Sequence, residues 1–259
     1  MIGRAAVVLL VLFMTLPTVV VVAVSFNPTA IMSFPPAGLS LRWYANALGY
    51  PQFQRAAVNS LIVTAAASAI ALLVGTAAAL ALERARLRGR HVWATALLSP
   101  LVVPGVAAGL GFLILAAGLG LLRSRLVLIA AHVALVLPFV VRSVWVSVKN
   151  LDPTLERAAA SLGATPWRTF RRVTLPLLRP GLFAALLFAV IVSANEFVVS
   201  LFVSSRLTEI LPVAMFTYVV NYTDPTIAAL SSLFIAATLA LVWIADRFFG
   251  LAAVFLLDR

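Results

Sequence analysis

Six runs of apolar residues, each long enough to cross a bilayer, dominate this sequence: roughly 5–26, 56–82, 94–118, 126–147, 181–204 and 226–249. A helix needs about 20 apolar residues to cross a hydrocarbon layer about 30 Å thick. Within that layer each backbone amide must bond inside its own segment, so such runs fold as helices. The expected fold is an all-α polytopic membrane protein, with six transmembrane helices in one domain over residues 1–259. With 63% apolar and 10% charged residues, the chain excludes a soluble domain of this length, whose surface needs far more charge.

Charge sets the orientation. Of the 19 basic residues, all but Arg42, Arg55, Arg123, Arg125 and Arg206 fall on one side if the N-terminus is cytoplasmic. Arg86, Arg179, Arg247 and Arg259 are among those inside. This positive-inside asymmetry places both termini in the cytoplasm, and it explains the +11 net charge without nucleic acid. Arg123 and Arg125 stand as local exceptions on a short outer turn. The run after Arg4 is longer than a signal-peptide core and reads as an uncleaved first span.

No catalytic site, metal site or cofactor site is expected. The chain has no cysteine, and its two histidines, His91 and His132, are distant in sequence. His132 lies in a span without an obvious acidic partner and reads as a helix-packing hydrogen bonder. Ala71, Gly75 and Ala79 share a helical face, and Gly105 and Gly109 are spaced alike, so these faces are expected to pack closely on neighbours. Pro100, Pro104 and Pro138 should bend their spans. Leu41–Leu48 is expected to lie flat on the membrane or on a partner. Ile210–Val220, too short to span, reads as an interfacial helix or a dipping loop.

A polar island over 152–181 interrupts the apolar pattern. Asp152-Pro153 starts a helix, with Glu156 in the first turn where the helix dipole favours an anion. Gly163 closes that helix in a left-handed conformation. Thr165-Pro166 starts a second helix, which Thr174-Leu175-Pro176 should end. Glu156, Ala159, Ala160 and Gly163 share a small, flat face suited to a groove on another protein.

The island resembles the EAA loop of permeases in binding-protein-dependent ABC importers. Ala158-Ala159, Gly163, Val173 and Leu175-Pro176 stand at the spacing of that pattern. Arg157 occupies the usual Glu position, with Glu156 one residue earlier. The resemblance implies a type I importer permease (MetI-like) fold, in which the loop over about 148–180 couples to a cytoplasmic ATPase dimer. Glu156, Ala158, Ala159, Gly163, Leu175 and Pro176 are the implied coupling residues. The implied partners are that ATPase, which holds the ATP and Mg, a second and different permease chain, an extracytoplasmic solute-binding protein and membrane lipid. The implied location is the bacterial inner membrane.

The stretches 195–200, 209–213 and 224–230 resemble the spermidine/putrescine permease branch. Glu196 lies about 22 Å along the fifth span, still at hydrocarbon depth. A charge at a helix centre costs on the order of 2.5–3.5 kcal/mol. A cationic solute would offset that cost; so would an arginine or amide on a partner span, or solvation at the outer mouth. Asn195 points to a different face. Glu209 and Asp224 lie on the outer side, where they could attract cations or touch a binding protein, and each reads first as a solvated loop charge. The alternatives are a permease for another solute class and an ion-coupled secondary transporter, which would carry more acids within its spans and would not need the island.

Overall fold

A computed structural model describes residues 2–85 and 87–249. Arg86 and Arg259 therefore lie outside the described residues, as does the end of the expected domain. Among the described residues there is no strand. The described residues divide into two compact units, one up to 58 with 210–241 and the other over 59–209 with the stretch from 242.

The first unit holds α1 (Ile2–Val24), α2 (Arg42–Gly49), the start of α3 (Pro51–Arg84), α11 (Leu211–Asn221) and most of α12 (Thr226–Phe249). Its core gathers Ala47, Phe53, Ala56, Leu211, Ala214, Tyr218 and Leu230. The Tyr50 and Tyr218 rings meet edge-on at 5.4 Å, a favourable geometry for the ring quadrupoles. Trp43 is 3% exposed, and its indole donates to the Asn27 carbonyl at 2.7 Å. α2 thus packs one face, Trp43 and Ala47, into the protein, and the buried indole N–H finds its partner there. α11 likewise contributes to the core. Asp224 accepts from the Thr226 amide and the Tyr218 hydroxyl, at 2.8 and 2.9 Å. It caps α12 instead of standing free in solvent.

The second unit holds the rest of α3, α4 (Arg90–Leu98), α5 (Gly105–Gly118), α6 (Arg125–Lys149), α7 (Pro153–Ser161), α8 (Pro166–Thr169), α9 (Leu175–Ala194) and α10 (Val198–Val203). Ala71 and Ala79 of α3 are fully buried against Val136, Val140 and Val144 of α6. A Cβ on Gly75 would lie 2.7 Å from Val140 Cγ1, and one on Gly109 would lie 2.6 Å from a Phe202 ring carbon. The small residues allow these close approaches. Gly181 is tighter still, with Ser147 Oγ 1.9 Å from where its Cβ would stand.

Two expected spans take a different form. The third, 94–118, is broken: Arg90–Leu101 and Gly105–Gly118 meet at 97°. Pro104 lacks an N–H and restricts the residue before it, so the helix cannot run through. The fifth, 181–204, begins earlier and ends earlier, as one apolar helical stretch over Pro166–Ala194. Leu175-Pro176 does not end the second island helix. A wide π-type turn over Phe170–Thr174 precedes the proline and makes room for its ring, so the helix continues. Five helices, or six with the bent pair counted as one span, are long and apolar enough to cross a membrane among the described residues.

Candidate functional site: a braced surface helix and a broken span

α7 forms where the island supplies its ends. Asp152 Oδ1 accepts the Thr154 amide at 2.8 Å, and Pro153 needs no partner at the first helical position. Hydrogen bonds from Thr154 hold the Asp152 carboxyl below its ordinary range, with Arg157 adding to the effect. At the other end Gly163 adopts φ 81°. Its amide donates to the Ala160 carbonyl at 2.9 Å, and the Ala164 amide donates to the Ala159 carbonyl at 3.1 Å. That pair of bonds is the Schellman closure. Thr165 then caps α8 through the Arg168 amide at 3.4 Å.

The carboxylate of Glu156 points inward. Arg84 Nη2, in the last turn of α3, lies 2.5 Å from Glu156 Oε1. The Thr174 hydroxyl donates to the same oxygen. One side chain therefore joins α7 to the end of α3 and to the π turn leading into α9. Ala159 is half-buried on the same side, whereas Ala158 is exposed and so is Gly163. Leu175 and Pro176 are half-buried within the long helix. Glu156 thus serves the brace, and the exposed residues of α7 and its end include Leu155, Arg157, Ala158, Ala160 and Leu162. Leu162 is 88% exposed and Trp167 68% exposed.

A second brace stands beside the first. Glu83 pairs with Arg90 at the start of α4 and accepts the Trp145 indole N–H of α6 at 2.7 Å. Arg90 also lies 5.4 Å from the Trp145 ring centroid. Glu83, Arg84 and Thr174 carry no signal in the sequence, because each is ordinary at its own position and becomes informative only with its partner.

At the far end of α9 the helix stops at Ala194. Asn195 is exposed and donates to its own helix, to the Ile191 carbonyl at 2.8 Å. Glu196 sits in the break and accepts the Val199 amide at 2.8 Å, which caps α10. His132 of α6 spans the same break. Its Nδ1 lies 2.8 Å from Ser193 Oγ and its Nε2 2.9 Å from Ser200 Oγ. The Ser193 hydroxyl donates to Thr64 Oγ1 at 3.3 Å. With that proton committed, Nδ1–H donates to Ser193 and the Ser200 hydroxyl donates to Nε2. His132 is thus a packing hydrogen bonder, 1% exposed. Glu209, expected in solvent, is 8% exposed.

A groove of about 630 Å³ runs between α6 and α9, lined by Phe139, Arg142, Ser143, Ser147, Asn150 and Phe188 among others. No group of His, Cys, Asp and Glu able to hold a metal is present among the described residues.

Residues 83–251 match the family described as binding-protein-dependent transport system inner membrane component. The putrescine transport system permease PotI of Escherichia coli K12 is 34% identical over 232 residues, covering 87% of this chain and 82% of the relative. The spermidine/putrescine permease PotC of Haemophilus influenzae is 30% identical over 230 residues, 89% of each chain. A Salmonella typhimurium permease named for 2-aminoethylphosphonate transport, PhnV, is 31% identical over 250 residues, 95% of this chain and 92% of its own. In fold, the chain resembles a crystal structure of a bacterial ABC transporter that imports the acidic polysaccharide alginate. The TM-score is 0.74 at 16% identity, over 96% of this chain and 95% of that one.

Proposed function

The chain belongs to the inner-membrane components of binding-protein-dependent transport systems, and we propose that it passes a polyamine and is driven through α7 by a cytoplasmic ATPase. As the permease subunit of an ABC importer it is not an enzyme. In this reading α7 and α8 lie in the cytoplasm with both termini. The ATPase dimer receives the outward face of Leu155, Ala158, Leu162 and Trp167. A second permease, a different chain, completes the pathway, and a solute-binding protein delivers the solute from outside.

The observation that carries the coupling is the Glu156 brace. A helix held only by its loops would absorb a push as loop motion. Here the push passes to α3 through Arg84 and to the helix over 166–194 through Thr174. That helix has 29 residues, about 44 Å of rise, and its far end carries the Glu196 break. Movement at the ATPase thereby reaches the one intramembrane acid expected to meet a cation.

Uptake of radiolabelled putrescine and spermidine by the assembled importer in liposomes, with ATP inside, tests both claims. Uptake that needs neither ATP nor the ATPase removes the coupling. ATP-driven uptake of another solute with no competition by polyamines removes the substrate assignment. Arg142 in the α6–α9 groove favours a second reading, a solute that also bears an anionic group, as 2-aminoethylphosphonate does. Competition by that compound but not by putrescine would select it.

A further inference from the structure

We infer that Arg123 and Arg206 form a docking pocket for carboxylates on the solute-binding protein. The inference rests on the proposed orientation and on that partner. It concerns the outer end of the second unit, away from α7.

Outer loops of inner-membrane proteins are poor in arginine, so cations there call for a local reason. The α5–α6 turn nevertheless carries both Arg123 and Arg125. Arg125 is engaged within the protein, where its guanidinium donates to Asn59 Oδ1 at 3.0 Å. Arg123 has no ion-pair partner among the described residues, and it stands at φ 67°. That left-handed conformation strains a long side chain such as arginine and suits glycine. A strained arginine on an exposed turn gains nothing for the fold. Strain of that kind is found where a side chain must be aimed.

Arg206 borders the same space. Arg123 and Arg206 line a cavity of about 660 Å³ with Leu113, Leu122, Phe202 and Ser205, and no carboxylate is among its lining residues. Arg206 is held on a rigid turn. The Asn59 amide donates to the Leu207 and Glu209 carbonyls at 3.0 Å each. The Ser205 amide donates to Thr208 Oγ1 at 2.9 Å, and Thr208 and Glu209 are buried. Arg125, through Asn59, therefore fixes the turn that displays Arg206. Two arginines on neighbouring loop tips match carboxylates that are themselves fixed on a protein surface. Such pairs steer a soluble partner and set its register.

The test uses the complete importer in nanodiscs with its own solute-loaded binding protein, titrated into the ATPase assay. Arg123→Gly removes the charge at a position that suits glycine, so folding is preserved. Combined with Arg206→Gln, it should raise the half-saturating concentration of binding protein roughly tenfold and flatten its salt dependence. The reversal R123E/R206E should raise it further, and the outer control Arg55→Gln should not. An unchanged half-saturation point in both double variants overturns the pocket. So does a loss of uptake at an unchanged half-saturation point, which would place the arginines on the solute's route. An effect that follows the anionic lipid content instead of the binding protein also overturns it. If the wild-type importer is not stimulated by binding protein at all, the partner reading itself fails, whatever the variants do.

Discussion

Arg84 and Glu156, 72 residues apart in sequence, meet at 2.5 Å where α3 ends and α7 begins. Both side chains keep part of their surface in solvent, so the pair stabilises the fold by no more than about 1 kcal/mol. Its role is geometric. Glu156 also holds Thr174, and removing its carboxylate should free α7 from both helices. Glu156→Ala and Arg84→Ala are expected to raise the ATP hydrolysed per solute imported by several-fold, with near-normal assembly. The reversal R84E/E156R should restore part of the coupling. Unchanged stoichiometry in both single variants would make the brace irrelevant to transport.

Gly163 closes α7 at φ 81°, with nothing within 4 Å of where a Cβ would stand. A substitution there therefore meets only backbone strain. Gly163→Ala should cost about 1–2 kcal/mol locally, and Gly163→Asn less, since Asn tolerates that conformation. Retention of the ATPase on the purified permease should fall in the order Gly, Asn, Ala. Equal retention in all three would separate the closure from docking.

Leu162 lies on the outward face, away from the brace. Leu162→Asp places a charge where an apolar contact is proposed, on a side chain that is almost wholly exposed. ATPase co-purification should drop at least tenfold, a loss of about 1.4 kcal/mol or more, with the permease's own melting temperature unchanged. Full co-purification would move the docking face elsewhere.

The Glu196 side chain both caps α10 and carries a charge, and the two roles can be separated. Glu196→Gln keeps an oxygen that can accept the Val199 amide, while Glu196→Ala loses the cap at about 1 kcal/mol. If the charge serves a polyamine, both variants should lose uptake, but Ala alone should also lower the melting temperature. Wild-type uptake kinetics in the Gln variant would limit Glu196 to capping.

Asp152 sets the acid limit of the platform. Its folded pKa is depressed, so its contribution is present above the unfolded value of 3.8 and is lost as pH falls through the lower folded value. ATPase retention should therefore be flat through Asp152 from about pH 5 to 8. Asp152→Ala should weaken retention across that range, whereas Asp152→Asn keeps the cap. A retention step near neutral pH that disappears in Asp152→Asn would contradict this assignment.

Much of the island was legible because its signals are local. A cap, a proline at the first helical position and a closing glycine act within a few residues, and Asp152, Thr165 and Gly163 all behave accordingly. Pro176 shows the limit of that logic. Its ring forbids a regular turn before it, yet a wider turn over Phe170–Thr174 serves as well, and packing on α6 makes the continuous helix worthwhile. The face of α7 shows a second limit. Helical spacing put Glu156 and Ala159 on one face correctly, but it did not say whether that face met a partner or the protein itself.

Membrane insertion, helical class and the close-packed small-residue faces follow from the sequence alone. Each depends on a property that recurs along one helix: apolar length, or small residues on one face. The brace and the polar clamp of His132 on Ser193 and Ser200 were decided only in the tertiary structure. Each depends on groups from different helices meeting at hydrogen-bond distance, and residue spacing within one helix does not encode such meetings.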